Sequence, residues 1–275
     1  MDNVLNNMFS LQGKTVVLTG GGGVLVGEMA IAVAQCGANT VILDISREAA
    51  DKVAKVISDK DLEVISLHCD VLDQKNLQEC CQKILKTYGK IDCLVNGAGG
   101  NNPEATTTED QTFFDIPEKY HKAVIDLNLN GTMLPSQVFG REIARQEHGS
   151  IVNIASIAGF RPLTRAYAYA AGKAAVINFT KWLAAYFCQN YSPGIRVNAI
   201  APGFFATEQN KYLLYNNKKQ LTERGKNIIE KVPQQRFGNP SELNGAVVWL
   251  LSNSASFCTG SVITIDGGFD AYSGI

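Results

Sequence analysis

No stretch of the chain approaches the ~20 consecutive apolar residues needed to span a bilayer, so no membrane-crossing helix is expected. Neither sign of charge is in excess: 25 Lys and Arg stand against 26 Asp and Glu, a net charge of −1. That balance offers no basic field for nucleic acid. The three histidines (His68, His121, His148) are dispersed, and with the seven cysteines they form no ligand spacing, so no metal is expected. Cys80 and Cys81 are adjacent and the rest are scattered through apolar segments, a pattern of small buried hydrophobes in a reducing compartment. Residues 1–14 are polar and lack the order of a secretory signal, which makes the cytoplasm the expected location. A Gly-x-x-x-x-Gly-Lys-Ser/Thr loop is missing, which argues against nucleoside triphosphate hydrolysis.

What is present is an alternation of strand-like and helix-like segments within a composition that is 45% hydrophobic. Strands are expected at 14–19, 39–44, 63–69, 91–96, 149–155 and 195–200. Between them, helices are expected at 24–36, 47–58, 73–88, 117–146 and 166–187, with Gly89 as a C-cap and Pro135 kinking or ending the fourth. This rhythm implies an α/β fold, a single Rossmann-type doubly wound parallel sheet with helices on both faces. Without linker or repeat, 1–275 reads as one domain. Two polar excursions, 101–115 and 204–237, follow strand ends and are expected to enclose a substrate.

Tyr169 and Lys173 are four residues apart on the helix expected after the 149–155 strand, hence on one face. An ammonium beside a phenol favours the phenolate and pulls its pKa below the usual ~10. Ser156, at the carboxyl end of the preceding strand, can hold a substrate oxygen next to that phenol. The set suits proton exchange with an alcohol or ketone and calls for a hydride carrier. Tyr215 and Lys219 repeat the spacing in a polar stretch without such a serine, so spacing alone is not diagnostic.

A carrier site is legible nearer the start. Thr19 is followed by Gly20, Gly21, Gly22 and Gly23, where a backbone can approach a pyrophosphate at a helix N-terminus. Asp44, ending the second strand, suits the adenosine ribose hydroxyls and repels a 2′-phosphate; Arg47 lies three residues on, so NAD is expected rather than NADP. Asp70 with Val71, and the run Asn96, Gly97, Ala98, Gly99, fit walls around the adenosine.

These residues jointly resemble the short-chain dehydrogenase/reductase family over essentially the whole chain, from Lys14 onward. The resemblance rests on Thr19-Gly20, Asp70-Val71, Asn96 to Gly99, Asn128, Ser156, Tyr169 with Lys173, and Pro202-Gly203 with Thr207. It implies Tyr169 as general acid/base, Ser156 orienting the substrate oxygen, and Lys173 binding the nicotinamide ribose. Asn128 would hold a water in a proton relay, while Pro202, Gly203 and Thr207 would contact the nicotinamide end. It also implies a homotetramer or dimer built on the Tyr169 helix, the preceding helix and the C-terminal strand region. One departure stands out: Val24 and Val26 occupy positions where the family carries glycines, so Val24 should crowd the pyrophosphate unless Gly22 or Gly23 makes the close approach.

Within the family, Gly97 to Asn101, Phe160 to Thr164, Pro202 to Phe205, Glu208 to Asn210 and the Gly267 to Gly274 ending are similar to bacterial D-mannonate oxidoreductases (fructuronate reductases) of the short-chain type. That implies a sugar-acid substrate, D-mannonate or D-fructuronate. Arg161 would clamp its carboxylate, and Asn101, Asn102, Gln209 and Asn210 would read hydroxyls. The alternatives are another polyol or keto-sugar dehydrogenase (gluconate 5-dehydrogenase-like), a 3-oxoacyl thioester reductase, or a dinucleotide-binding regulator without turnover.

Overall fold

The computed structural model describes residues 7–207, 211–216 and 219–272. Seven parallel strands form one sheet in the order β3-β2-β1-β4-β5-β6-β7. They are β1 (Thr15–Thr19), β2 (Asn39–Asp44), β3 (Val64–His68), β4 (Cys93–Asn96), β5 (Gly149–Ile154), β6 (Ile195–Pro202) and β7 (Val262–Ile265). The strand order reverses direction between β1 and β4, where the register pairs Thr19 with Asn96. Chain segments leaving those two strand ends diverge to opposite faces, and the crevice between them is where such sheets take ligands.

The sequence of each central strand explains its place. Thr15–Thr19 and Gly149–Ile154 are buried along their whole length, as continuous β-branched runs are when helices cover both faces. One face packs against α1 (Val24–Gln35) and α8 (Asn244–Leu251), with Leu18, Met29, Val95, Val152 and Leu250 fully buried. The other packs against α3 (Gln74–Tyr88), α5 (Gly131–Arg145) and α6 (Tyr167–Asn190), around Leu43, Ile84, Leu94 and Phe139. Each such side chain contributes roughly 1.5–3 kcal/mol on transfer from water. Polar devices end the helices on register: Ser46 caps α2 (Arg47–Ser58), Asp73 accepts the Lys75 and Asn76 amides at the start of α3, and Gly89 closes α3 at φ +76°.

Three expectations need correction. The 117–146 helix is α4 (Glu118–Ile125), a π-turn at Asp126–Asn130 and α5; Pro135 lies inside α5 without ending it. The irregularity precedes the proline by more than a turn, and Thr132 Oγ1 donates to the Asn128 carbonyl there at 2.9 Å. Among the described residues, the 204–237 excursion carries a helical turn at Lys211–Leu214 and α7 (Glu223–Lys231), neither of which was expected. Tyr215 lies in a bridge to Leu221 and Lys219 has φ +59°, so that Tyr/Lys spacing is not on a helix. Finally, α8 was not expected, and β7 was implied only as a C-terminal strand region without bounds. A short all-apolar run such as Asn244–Leu251 carries no period, and Val262–Ile265 is a four-residue edge strand.

Candidate active site

Ser156 leaves the end of β5 in an extended conformation, 7% exposed, its Oγ accepting the Ala158 amide at 3.2 Å. At the start of α6, Tyr169 faces the same cavity as Ser156, and Lys173 Nζ stands 5.7 Å from the Tyr169 ring centre. Lys173 is 4% exposed, and its Nζ donates to the Ile154 carbonyl at 2.7 Å. Ile154, the last residue of β5, thus anchors Lys173, while Ser156, two residues on, faces the cavity with Tyr169.

The electrostatics correct the expectation for the phenol. Burial raises the Tyr169 pKa above its ordinary value, and the Ser156 hydrogen bond only partly opposes this. Burial also lowers the Lys173 ammonium from 10.5 to about 8. A low-polarity site disfavours both charged forms, and this outweighs the attraction inferred from spacing alone.

Behind the pair, Asn128 is fully buried in the π-turn. Its Nδ2 donates to the carbonyls of Gly100 and Val124, both at 2.7 Å, and its Oδ1 accepts the Gly100 amide at 3.2 Å. A π-turn is a local departure often found at functional positions, and here it presents the amide to the β4 loop. A Cβ on Gly99 would lie 2.8 Å from Asn128 Oδ1 and 3.1 Å from Lys173 Nζ. Gly99 therefore lets three elements meet.

A cavity of about 650 Å³ runs from this corner across the ends of β4, β1 and β2. Gly20, Gly22, Gly23, Asp44, Asp70, Val71, Ala98, Gly99, Ser156, Tyr169, Lys173, Pro202 and Gly203 all line it. The structure therefore brings together most of the residues singled out from sequence. Asp44 is fixed by two amides, Gly22 to Oδ2 at 3.0 Å and Ser46 to Oδ1 at 2.8 Å. Arg47 is turned to Asp51, with Nε 2.9 Å from Oδ1.

The glycine loop supplies space more than donors. The Gly21, Gly22 and Gly23 amides bond to Leu43 O, Asp44 Oδ2 and Gly20 O. Gly20 has φ +64°, and a Cβ there would lie 2.8 Å from Ala98. Helix α1 opens at Val24 with no side-chain cap, leaving its first amides without acceptors inside the helix. Val24, Leu25 and Val26 line the cavity at that point. Both valines are part of the cavity wall, and Val26 packs on Gly97, whose missing side chain makes room for it.

Several expected residues are placed elsewhere. The Asn96 side chain points into the interior, its Nδ2 donating to Ser136 Oγ at 2.9 Å and Asn153 Oδ1 at 2.8 Å. Asn101 donates to Thr106 Oγ1 at 3.0 Å, while Asn102 accepts the Glu104 amide and caps the turn Pro103–Ala105. Thr207 lies outside the cavity lining, its carbonyl accepting the Lys211 amide at 2.9 Å. Arg161 is paired with Asp270, Nε to Oδ1 at 2.7 Å, with a second bond to the Asp270 carbonyl. Asp266 holds that aspartate in turn by accepting the Gly268 and Asp270 amides. Gln209 and Asn210 lie outside the described residues. Conversely, Ile45, Cys69 and Leu127 line the cavity without having been expected, Ile45 being 66% exposed beside Asp44.

A glycine-walled crevice at the sheet's switch point, closed at one end by a hydroxyl pair and a buried lysine, marks an oxidoreductase working with a dinucleotide. The model of the enoyl-(acyl carrier protein) reductase family matches residues 26–270, and the chain belongs to the short-chain dehydrogenase/reductase family. It is similar to an uncharacterized oxidoreductase, UxuB, of Bacillus subtilis: 42% identical, covering 97% of this chain and 98% of the relative. A Haemophilus influenzae structure with bound NAD, provisionally named a D-mannonate oxidoreductase, superposes with a TM-score of 0.92 at 41% identity, covering 99% of this chain and 100% of the other. A gluconate 5-dehydrogenase from Burkholderia cenocepacia, in complex with NADP and tartrate, reaches a TM-score of 0.86 at 28% identity, covering 98% and 99%. Among the described residues no helix is long and apolar enough to cross a membrane, and no cluster of potential metal ligands occurs.

Proposed function

We propose that the protein is an NAD-dependent oxidoreductase that interconverts a secondary alcohol and a ketone of a sugar acid, with D-mannonate and D-fructuronate as the pair. The observation that carries the chemistry is that Ser156, Tyr169 and buried Lys173 together line one end of a glycine-walled crevice, with Lys173 Nζ 5.7 Å from the Tyr169 ring centre. The sugar-acid assignment is supported by the Haemophilus influenzae neighbour; Arg161 would have to exchange its Asp270 partner to receive the substrate carboxylate.

The crevice fits a dinucleotide. Uncapped α1 amides suit a pyrophosphate, and Asp44, braced by two amides, suits a diol and repels a phosphate. With Arg47 engaged by Asp51, no cation adjoins Asp44 from that position, which favours NAD over NADP. Bound there, the nicotinamide supplies or accepts the hydride.

In the reducing direction the Tyr169 phenol donates its proton to the ketone oxygen, and Ser156 Oγ–H donates a hydrogen bond to the same oxygen as charge develops. The raised phenol pKa keeps this acid protonated at neutral pH. In the oxidising direction Tyr169 must first lose its proton, and the Lys173 ammonium, charged below about pH 8, stabilises the phenolate. Asn128, behind Gly99 and Gly100, anchors the path by which solvent restores the proton. The sugar-acid reading keeps Asn101, Asn102, Gln209 and Asn210 as proposed hydroxyl readers. The same reading expects a homo-oligomer, since Trp182 and Tyr186 stack 4.9 Å apart on α6, 56% and 37% exposed.

Tyr169→Phe tests the mechanism. Turnover should fall by several orders of magnitude while NADH still binds, and retained turnover would remove Tyr169 from the chemistry.

A further inference from the structure

Asn128, Thr132 and Ser136 follow one another at intervals of four through the π-turn and into α5, and all three are buried. Each hydroxyl reaches back one turn. Thr132 Oγ1 donates to the Asn128 carbonyl at 2.9 Å, and Ser136 Oγ donates to the Thr132 carbonyl at 2.7 Å. Ser136 Oγ in turn accepts Asn96 Nδ2 from the end of β4. At the other end of the row the Asn128 amide grips Gly100 twice, donating to its carbonyl and accepting its N–H. From Gly100 the chain returns through Gly99, Ala98 and Gly97 to Asn96. The bonds therefore close a ring around the root of the β4 loop, and those four returning residues are crevice wall. The wall has a separate support nearer β1, where the Gly97 and Ala98 amides donate to Thr19 Oγ1 at 3.1 and 3.3 Å.

We propose that Thr132 is a positioning residue for the reaction: its hydroxyl fixes the π-turn so that the Asn128 amide holds Gly100, and with it the corner where Gly99 meets Lys173. Its effect on turnover rests on the reading given above, in which Asn128 anchors the path that restores the Tyr169 proton. Within Asp126–Asn130 the backbone pairs one residue further back than in an α-helix, the Gly131 amide reaching the Asp126 carbonyl. Such a departure has to be held by its neighbours, and the Thr132 hydroxyl is a donor placed on a carbonyl inside it. The corner has little slack, since a Cβ on Gly99 would stand 2.8 Å from Asn128 Oδ1 and 3.1 Å from Lys173 Nζ. Valine has nearly the shape of threonine but no hydroxyl, so it leaves the buried Asn128 carbonyl one donor short. A return toward ordinary helical pairing then turns Asn128 away from Gly100 and loosens the Lys173 corner. Thr19 still holds Gly97 and Ala98, so the proton path suffers while the dinucleotide wall stays.

The test compares Thr132→Val and Thr132→Ser with the parent. It reads kcat, KM for the keto acid, NADH affinity by fluorescence, and hydrogen exchange of the Gly100 amide. Thr132→Val should lower kcat at least tenfold and speed Gly100 exchange at least tenfold. KM and the NADH dissociation constant should each move by less than threefold. Thr132→Ser, which keeps the donor, should recover at least half of the parental kcat together with the slow exchange. Should Thr132→Val fail to fold, Thr132→Ala removes the same donor without adding bulk, and its contrast with serine carries the same expectations. Unchanged kcat or unchanged Gly100 exchange, a loss of NADH binding as large as the loss of kcat, or a serine variant no better than valine would each overturn the proposal. A parent that turns over no ketone would defeat the functional reading instead, and Gly100 exchange would still decide whether Thr132 positions Asn128.

Discussion

Replacing Lys173 by Met should make the protein more stable while abolishing its turnover. Lys173 is 4% exposed, and burial lowers its ammonium from 10.5 to about 8. That gap corresponds to about 3 kcal/mol by which the folded state disfavours the charged form. The sign follows from proton counts. Between about pH 8 and 10.5 the unfolded chain binds more protons than the folded one, so stability rises with pH across that window. Below pH 8 the whole penalty is present. Methionine has similar length and no charge, so it removes the penalty, but it leaves the Ile154 carbonyl without its 2.7 Å donor. An unpaired buried carbonyl costs about 1–2 kcal/mol, which leaves a net gain of about 1–2 kcal/mol near neutral pH. Because the lysine penalty fades as pH rises, about 2 kcal/mol of the difference between the proteins should vanish by about pH 9.5. Tyr169 does not confuse this window, since its folded pKa is raised and its own effect begins only above the unfolded value of 10.0. Urea unfolding of both proteins at neutral and alkaline pH measures the difference, with turnover recorded on the same samples. A variant less stable than the parent at neutral pH, or a difference that ignores pH, would refute the reasoning.

Three further outcomes follow from the geometry. Asp44→Asn, which keeps an acceptor but loses the charge, should raise the NADPH/NADH ratio of kcat/KM by at least tenfold; an unchanged ratio would show that Asp44 does not select the cofactor. Gly99→Ala places a methyl group 2.8 Å from Asn128 Oδ1 and 3.1 Å from Lys173 Nζ, and should cut kcat at least tenfold with little thermal destabilisation. Wild-type kinetics in Gly99→Ala would mean that this corner yields freely. Arg161→Ala should raise KM for acidic ketoses and leave neutral ketoses unaffected; equal effects on both would assign the arginine to its Asp270 contact alone.

Much of this arrangement was readable before any coordinates, for reasons particular residues make plain. Asp44 could be placed because β2 carries the apolar run Val41 to Leu43 and ends in a carboxylate, two residues before the Ser46 cap. Gly89 could be placed because only glycine closes a helix cheaply at positive φ. The Tyr169–Lys173 pairing came from helical spacing, but its electrostatics did not. Spacing reports which groups meet, whereas the raised phenol pKa depends on how much of the fold closes over them. Arg161 and Asp270 are 109 positions apart, so nothing local could announce their pairing. Asn96 illustrates the same limit: a polar residue at a strand end suggests a ligand, yet Ser136 and Asn153 draw it inward. The π-turn around Asn128 escaped for a different reason, since Pro135 is a visible breaker in sequence and a π-turn has no residue signature.

The account is tested most directly by NADH oxidation with the purified protein and D-fructuronate, beside 5-keto-D-gluconate, D-fructose and a 3-oxoacyl thioester. It predicts fast turnover of D-fructuronate to D-mannonate, with the neutral sugar and the thioester slower by at least a hundredfold. Preferred turnover of the thioester or of the neutral ketose would contradict the sugar-acid assignment. NADH binding without turnover of any of the four would contradict the catalytic role given to Ser156, Tyr169 and Lys173.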